Sequence, residues 1–179
     1  FQLLSAWLLD ASGKAPIGDG HPLHDIKANP SGPSHPDVFI LSTSEESAAF
    51  AGMMGVGMVF AEFIARAEAG PAIAAYRRAF EPSAYRAEPW AGTAVIAYAA
   101  ATEEAGWRGD APRRAGTVSM LSGRRRRFTT VEDAEAFLAE WKGTPLLADV
   151  ESRAIAGEAD AVRAKLADKA ARIGADEVF

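Results

Sequence analysis

Ser42, Thr43 and Ser44 form a hydroxyl-rich turn directly after the apolar run Val38-Phe39-Ile40-Leu41. Where such a turn leads from the carboxyl end of a parallel strand into a helix, free N–H groups and the helix dipole favour an anion. Phosphate suits that chemistry. The same residues fit a second reading, because Thr43 with Glu46, or Ser42 with Glu45, matches the S/T-x-x-E capping box, which satisfies orphan donors without a ligand. Glu45 and Glu46 favour the second reading, since both add negative charge beside the turn.

Glu62 is the other residue whose setting suggests chemistry. It follows an apolar run between Phe60 and Phe63, and a carboxylate walled by aromatics at the carboxyl end of a strand can act as an acid or base. The alternative is an exposed or ion-paired glutamate at a loop entrance. His21 and His24 have Asp25 beside them, but three-residue spacing in a Pro-containing loop fixes no metal geometry, and His35 is a lone loop residue. No metal site is expected. Arg124 to Arg127 is a short basic run without interleaved aromatics and reads as a solvated loop. Gly52-Met-Met-Gly55-Val-Gly57 has the wrong order for a dinucleotide fingerprint and ends a helix where the fingerprint would open one.

These residues need strands and helices to position them. Strands are expected at Val38 to Leu41, Met58 to Phe63, Thr93 to Ala101, Arg153 to Ala156 and Asp176 to Phe179. The first has the composition of a strand buried on both faces. Helices are expected to open at Ser42-Thr43-Ser44 with Gly55 as the stop, to run from Gly70-Pro71 to Pro82 with Ile73, Tyr76 and Phe80 on one stripe, and from Thr130 to Gly143 with Thr130 and Asp133 forming the cap. A last helix runs from about Glu158 to Ile173 and stops at Gly174. Ala11 to Ser34 is a long Gly- and Pro-rich excursion, and the opening FQLLSAWLL, with Phe1, Leu4 and Leu8 at helical spacing, reads as the tail of an amphipathic helix.

At 179 residues, 49% of them hydrophobic, the chain can bury a sizeable core as a single domain, and a net charge of −5 argues against bulk affinity for nucleic acid or membrane. The absence of cysteine removes disulfides, thiolate nucleophiles and Cys-ligated zinc, so redox chemistry would need a cofactor. A cytoplasmic location is compatible with that composition. The longest apolar run, Ala48 to Ala61, is too short for a membrane span and is interrupted by glycines.

Ser42-Thr43-Ser44 after VFIL, an Ala-rich helix running into Gly55-Val56-Gly57-Met58-Val59-Phe60, the Ala74 to Ser83 segment, the Ala94 to Glu104 strand-to-helix step, and Gly157 followed by Val162, Leu166 and Gly174-Ala175-Asp176-Glu177 together resemble the bacterial luciferase-like flavin-dependent monooxygenases. The resemblance covers roughly residues 36 to 105 and 151 to 179; Gly106 to Thr130 lies outside it. It departs from the family pattern at Ser42, Glu62, Glu158 and Ala159. The family fold is a (β/α)8 barrel of ~250 residues. The resemblance therefore implies a partial TIM barrel, the C-terminal half with four to five parallel strands and flanking helices, cut at both ends.

The resemblance also implies a function. Ser42, Thr43, Ser44 and Ser47 would contact the phosphate of reduced flavin mononucleotide (FMN), preferred over a deazaflavin, and Phe60 and Phe63 would line the pocket for a small organic substrate that reacts with O2. Relatives often dimerise, so the full-length form is expected to be a homodimer. Two alternatives remain, a non-catalytic flavin-binding or dimerisation remnant and another phosphate-binding barrel enzyme.

Overall fold

The computed structural model describes residues 2–29 and 31–179, so Phe1 lies outside the described residues. In chain order the elements are α1 (Gln2–Ala11), β1 (Phe39–Ser42), α2 (Glu45–Met53), β2 (Gly57–Ala61), α3 (Glu62–Ala65), α4 (Gly70–Ala79), β3 (Ala91–Ala94) and β4 (Ala97–Ala100). They continue with α5 (Glu103–Gly109), α6 (Ala111–Leu121), α7 (Val131–Ala139), α8 (Pro145–Ser152), β5 (Ile155–Glu158), α9 (Ala159–Ile173) and β6 (Glu177–Val178). The protein is mixed α/β, with parallel strands and flanking helices. Its contacts gather into two units, one made of the described residues up to Ala61 with Pro71–Gly92, the other of Glu62–Gly70 with Thr93–Phe179. Among the described residues, no helix is long and apolar enough to cross a membrane.

In the first unit β1 and β2 run parallel, with Phe39 opposite Gly57 and Ser42 opposite Phe60. The α2 helix connects them and ends at Gly55, whose φ of +61° is a left-handed turn that favours glycine. Gly52 allows the end of α4 to approach closely, since a Cβ there would sit 2.5 Å from the Tyr76 carbonyl oxygen. Tyr76 is fully buried; its hydroxyl donates to the Val56 carbonyl and accepts from the Trp90 N–H, both at 2.9 Å. The expectation that the first strand is buried on both faces fails in this unit. Phe39 and Leu41 are 41% and 57% exposed, whereas Ser42 is buried, because residues alternate across the strand and α2 packs on it from one side.

The second unit contains α5 to α9 and the parallel pair β4 and β5, with Ala97 opposite Ile155 and Ala100 opposite Glu158. The single strand expected over Thr93 to Ala101 is two strands with different partners. Phe179 donates its N–H to the Thr93 carbonyl and accepts from the Val95 N–H, both at 2.9 Å, whereas β4 pairs with β5. The strand expected over Met58 to Phe63 ends at Ala61, because the Arg66 N–H donates to the Glu62 carbonyl at 3.0 Å and closes a helical turn. Farther along, β5 begins at Ile155, later than expected, since α8 runs to Ser152 and takes Arg153 as its C-cap.

Residues 106 to 130, given no role from the sequence, contribute the end of α5 and all of α6. There Ala115 and Val118 pack in one core with Ala134, Phe137 and Leu147. Thr130 caps α7 as expected, accepting from the Asp133 N–H at 3.1 Å, and Gly143 follows at φ +80°. At the end of α9, Gly174 takes φ +68° and stops the helix. Close packing of α5 on β5 depends on two glycines, because a Cβ on Gly106 would lie 2.5 Å from the Gly157 Cα.

Candidate functional site

In the first unit, the turn between β1 and α2 brings Thr43, Ser44 and Ser47 together. Ser44 is the N-cap of α2, with extended backbone at φ −146° and ψ 165°. Its hydroxyl oxygen accepts from the Ser47 N–H at 3.2 Å, and the Ser47 hydroxyl oxygen accepts from the N–H groups of Ser44 and Thr43 at 3.2 and 3.3 Å. A capping box is therefore present, but its partners are Ser44 and Ser47. This corrects the pairings of Thr43 with Glu46 and Ser42 with Glu45, because the strand continues through Ser42 and the helix begins only at Glu45. Ser42 lies in the wall of the unit, fully buried, with no hydrogen-bond partner for its hydroxyl.

Glu46 completes the turn. Its own main-chain N–H, and next the Ser44 hydroxyl, hold its carboxyl below the usual carboxylate range.

In the second unit, a cleft of about 650 Å³ is lined by residues from α3, α6, α8 and α9, among them Glu62, Phe63 and Lys169. This volume falls in the range of small-molecule sites. Glu62 opens α3. Its Oε2 lies 2.8 Å from the Lys169 Nζ, and its Oε1 accepts from the Ala69 N–H at 3.0 Å and from the Thr93 hydroxyl at 3.3 Å. The carboxylate and ammonium side chains are only 14% and 13% exposed. The expected carboxylate walled by aromatics is thus an ion-paired glutamate with two further donors. Phe63 is 47% exposed and lines this cleft, whereas Phe60, 2% exposed, belongs to the core of the first unit.

Lys169 and the Arg66–Asp149–Arg153 cluster were missed from the sequence. A readable signal existed on α9, where Lys165, Asp168, Lys169 and Arg172 fall on one helical face and all line the cleft. The remaining candidates have structural partners. His24 faces Asp19 at 3.3 Å and Asp25 at 3.1 Å, and His35 lies within 2.9 Å of the Lys14 Nζ and packs edge-on against Tyr85. In the basic run, Arg126 pairs with Asp133 and the Arg124 guanidinium lies 5.6 Å from the centre of the Trp141 ring.

No protein-family model and no curated protein matches the chain. Among solved structures, it is similar to apo-MsnO8, with a TM-score of 0.76 and 27% identity over 95% of this chain and 50% of that chain. A looser likeness, with a TM-score of 0.45 and 21% identity, is to the monooxygenase RslO1 from Streptomyces bottropensis, over 80% of this chain and 40% of that one. The chain spans half the length of MsnO8.

Proposed function

We propose that the chain is the C-terminal part of a luciferase-like, flavin-dependent monooxygenase with a partial TIM barrel fold, and that the turn from Ser42 to Ser47 receives the phosphate of reduced FMN. The observation that carries this reading is the geometry of the turn, where Thr43, Ser44 and Ser47 gather hydroxyls and main-chain N–H groups at the start of α2. A phosphate oxygen is a chemically equivalent guest for those donors. Support for the fold comes from the likeness to apo-MsnO8 along 95% of the chain, and from the β1–α2–β2 unit, which delivers the turn to the carboxyl end of a strand.

The residues present fit the phosphate in their donor set. Thr43, Ser44 and Ser47 supply hydroxyls, α2 supplies N–H groups, and the buried Ser42 hydroxyl is without a protein partner. Thr43, Ser44 and Ser47 would be the residues that hold the phosphate, with the Glu46 carboxylate displaced from the turn. When bound, reduced flavin would supply the electrons for oxygen transfer. In the second unit, Glu62 is held by Lys169 and Thr93, and Phe63 offers an apolar wall to the cleft there.

The test is reduced-FMN-dependent incorporation of labelled oxygen from O2 into an apolar organic substrate by the protein that carries this segment. Incorporation that requires FMN supports the reading, and a protein that binds no flavin sinks it.

A further inference from the structure

The cleft of the second unit combines two features. Its lining includes four large apolar side chains exposed by 41% to 57%, namely Phe63, Ile64, Ile96 and Met120. Exposed apolar residues are ordinary when scattered, but four along one cleft mark a place for an apolar guest. Six cationic side chains line the same cleft against three carboxylates, Glu62, Glu68 and Asp168, in a chain whose net charge is −5.

The pairing of those cations shows where a further anion is best received. Lys169 is matched by Glu62 and Arg172 by Glu68. Arg113 is held in two hydrogen bonds by Asp110, at 2.6 and 2.7 Å, and Lys165 reaches Glu103 at 3.9 Å. Arg66 and Arg153 share the single carboxylate of Asp149, and Arg153 also donates to the Arg66 carbonyl. Asp149 itself does not line the cleft. One carboxylate between two guanidiniums leaves a positive charge and unused N–H donors at the wall. Arg66 holds this position with a φ of +55°, in the left-handed region that favours glycine, directly after α3. A residue kept there despite its side chain is consistent with a role for the guanidinium.

We propose that this cleft binds an organic anion, its apolar body seated against Phe63, Ile64, Ile96 and Met120 and its carboxylate held by Arg66 and Arg153. Guanidinium pairs match a planar carboxylate in two parallel hydrogen bonds, which an alcohol of the same shape cannot reproduce. The cleft shares Phe63 with the proposed function but none of the residues of the phosphate turn, so anion binding here can fail or succeed whether or not the protein binds flavin.

The experiment titrates the whole chain with 1-naphthoate, with the neutral 1-naphthylmethanol and with inorganic phosphate, following intrinsic tryptophan fluorescence and calorimetric heat. The wild type is expected to bind naphthoate about tenfold more tightly than the alcohol and to show little response to phosphate alone. Arg66→Gly and Arg153→Met should each bring the two naphthyl ligands close to parity. Met120→Trp, a substitution at a half-exposed site that can fold normally, should weaken both ligands by filling the cleft. Equal affinity for acid and alcohol in the wild type, an anion preference untouched by both arginine variants, or no binding at all would overturn the proposal.

Discussion

Ser44 and Ser47 hold each other across the first turn of α2, each side-chain oxygen accepting the other's main-chain N–H at 3.2 Å. This reciprocal pair fixes the backbone from which Thr43, Ser44 and Glu46 present their donors and charge. The Ser44 hydroxyl also donates weakly to the Ser47 hydroxyl oxygen at 3.4 Å, so a ligand at the turn would compete with that contact while the cap's main-chain bonds stay in place. Stability and ligand affinity should therefore respond differently to substitutions in this turn.

Ser44→Ala removes the N-cap acceptor and should lower stability by about 1 kcal/mol, the usual cost of losing a serine cap. Urea denaturation with an unchanged m-value would record it. A loss below about 0.3 kcal/mol would mean that another group replaces the cap.

Glu46→Gln should strengthen binding of inorganic phosphate at the turn and weaken the acid sensitivity of the fold. Because the folded state holds the Glu46 carboxyl below its usual range, its contribution is present above the unfolded value and is lost as pH falls through the folded value. Denaturation midpoints of the two proteins should therefore differ at neutral pH and converge on acidification through that range.

Lys169→Met leaves the Glu62 carboxylate with only the Ala69 N–H and the Thr93 hydroxyl as donors. Breaking a fully buried pair costs about 3–5 kcal/mol, and the slight exposure here should reduce that to roughly 2 kcal/mol. Adding Glu62→Gln should restore most of the loss in a double-mutant cycle, while additive losses would show that the two side chains do not interact.

Gly106→Ala drives a methyl group into Gly157, where α5 meets β5. Overpacking of this kind costs about 1–3 kcal/mol, and thermal unfolding should show it as a clear drop in midpoint. Arg66→Gly should differ sharply, staying within about 1 kcal/mol of wild type. Relief of a left-handed arginine, ~1–2 kcal/mol, offsets a half-exposed ion pair worth ~0–1 kcal/mol and the greater chain entropy of glycine.

Features set by neighbouring residues were legible in the sequence. The Thr130 cap, the stops at Gly55 and Gly174, and the β1–α2–β2 unit all follow from local chemistry, whereas α7 ends at Ala139, short of the expected stop at Gly143. The break between β3 and β4 was not legible, because Thr93 to Ala101 is uniformly suited to a strand and only the change of partner, from Phe179 to β5, divides it. The capping partner was misread for a smaller reason. Glu45 and Glu46 both fit the S/T-x-x-E pattern, and a shift of one or two residues in the helix start decides between them and Ser47. In the cleft, Glu62 meets Lys169 and Arg66 meets Asp149 across long stretches of chain, so only the fold brings them together.

The central claim is that the turn at Ser44 reads a phosphate. The most direct measurement is anaerobic titration of the protein with reduced FMN and with reduced riboflavin, which lacks the phosphate, in wild type and Ser44→Ala. FMN is expected to bind more tightly than riboflavin in the wild type, with the difference largely lost in the variant. Equal affinities for the two flavins in the wild type would contradict it.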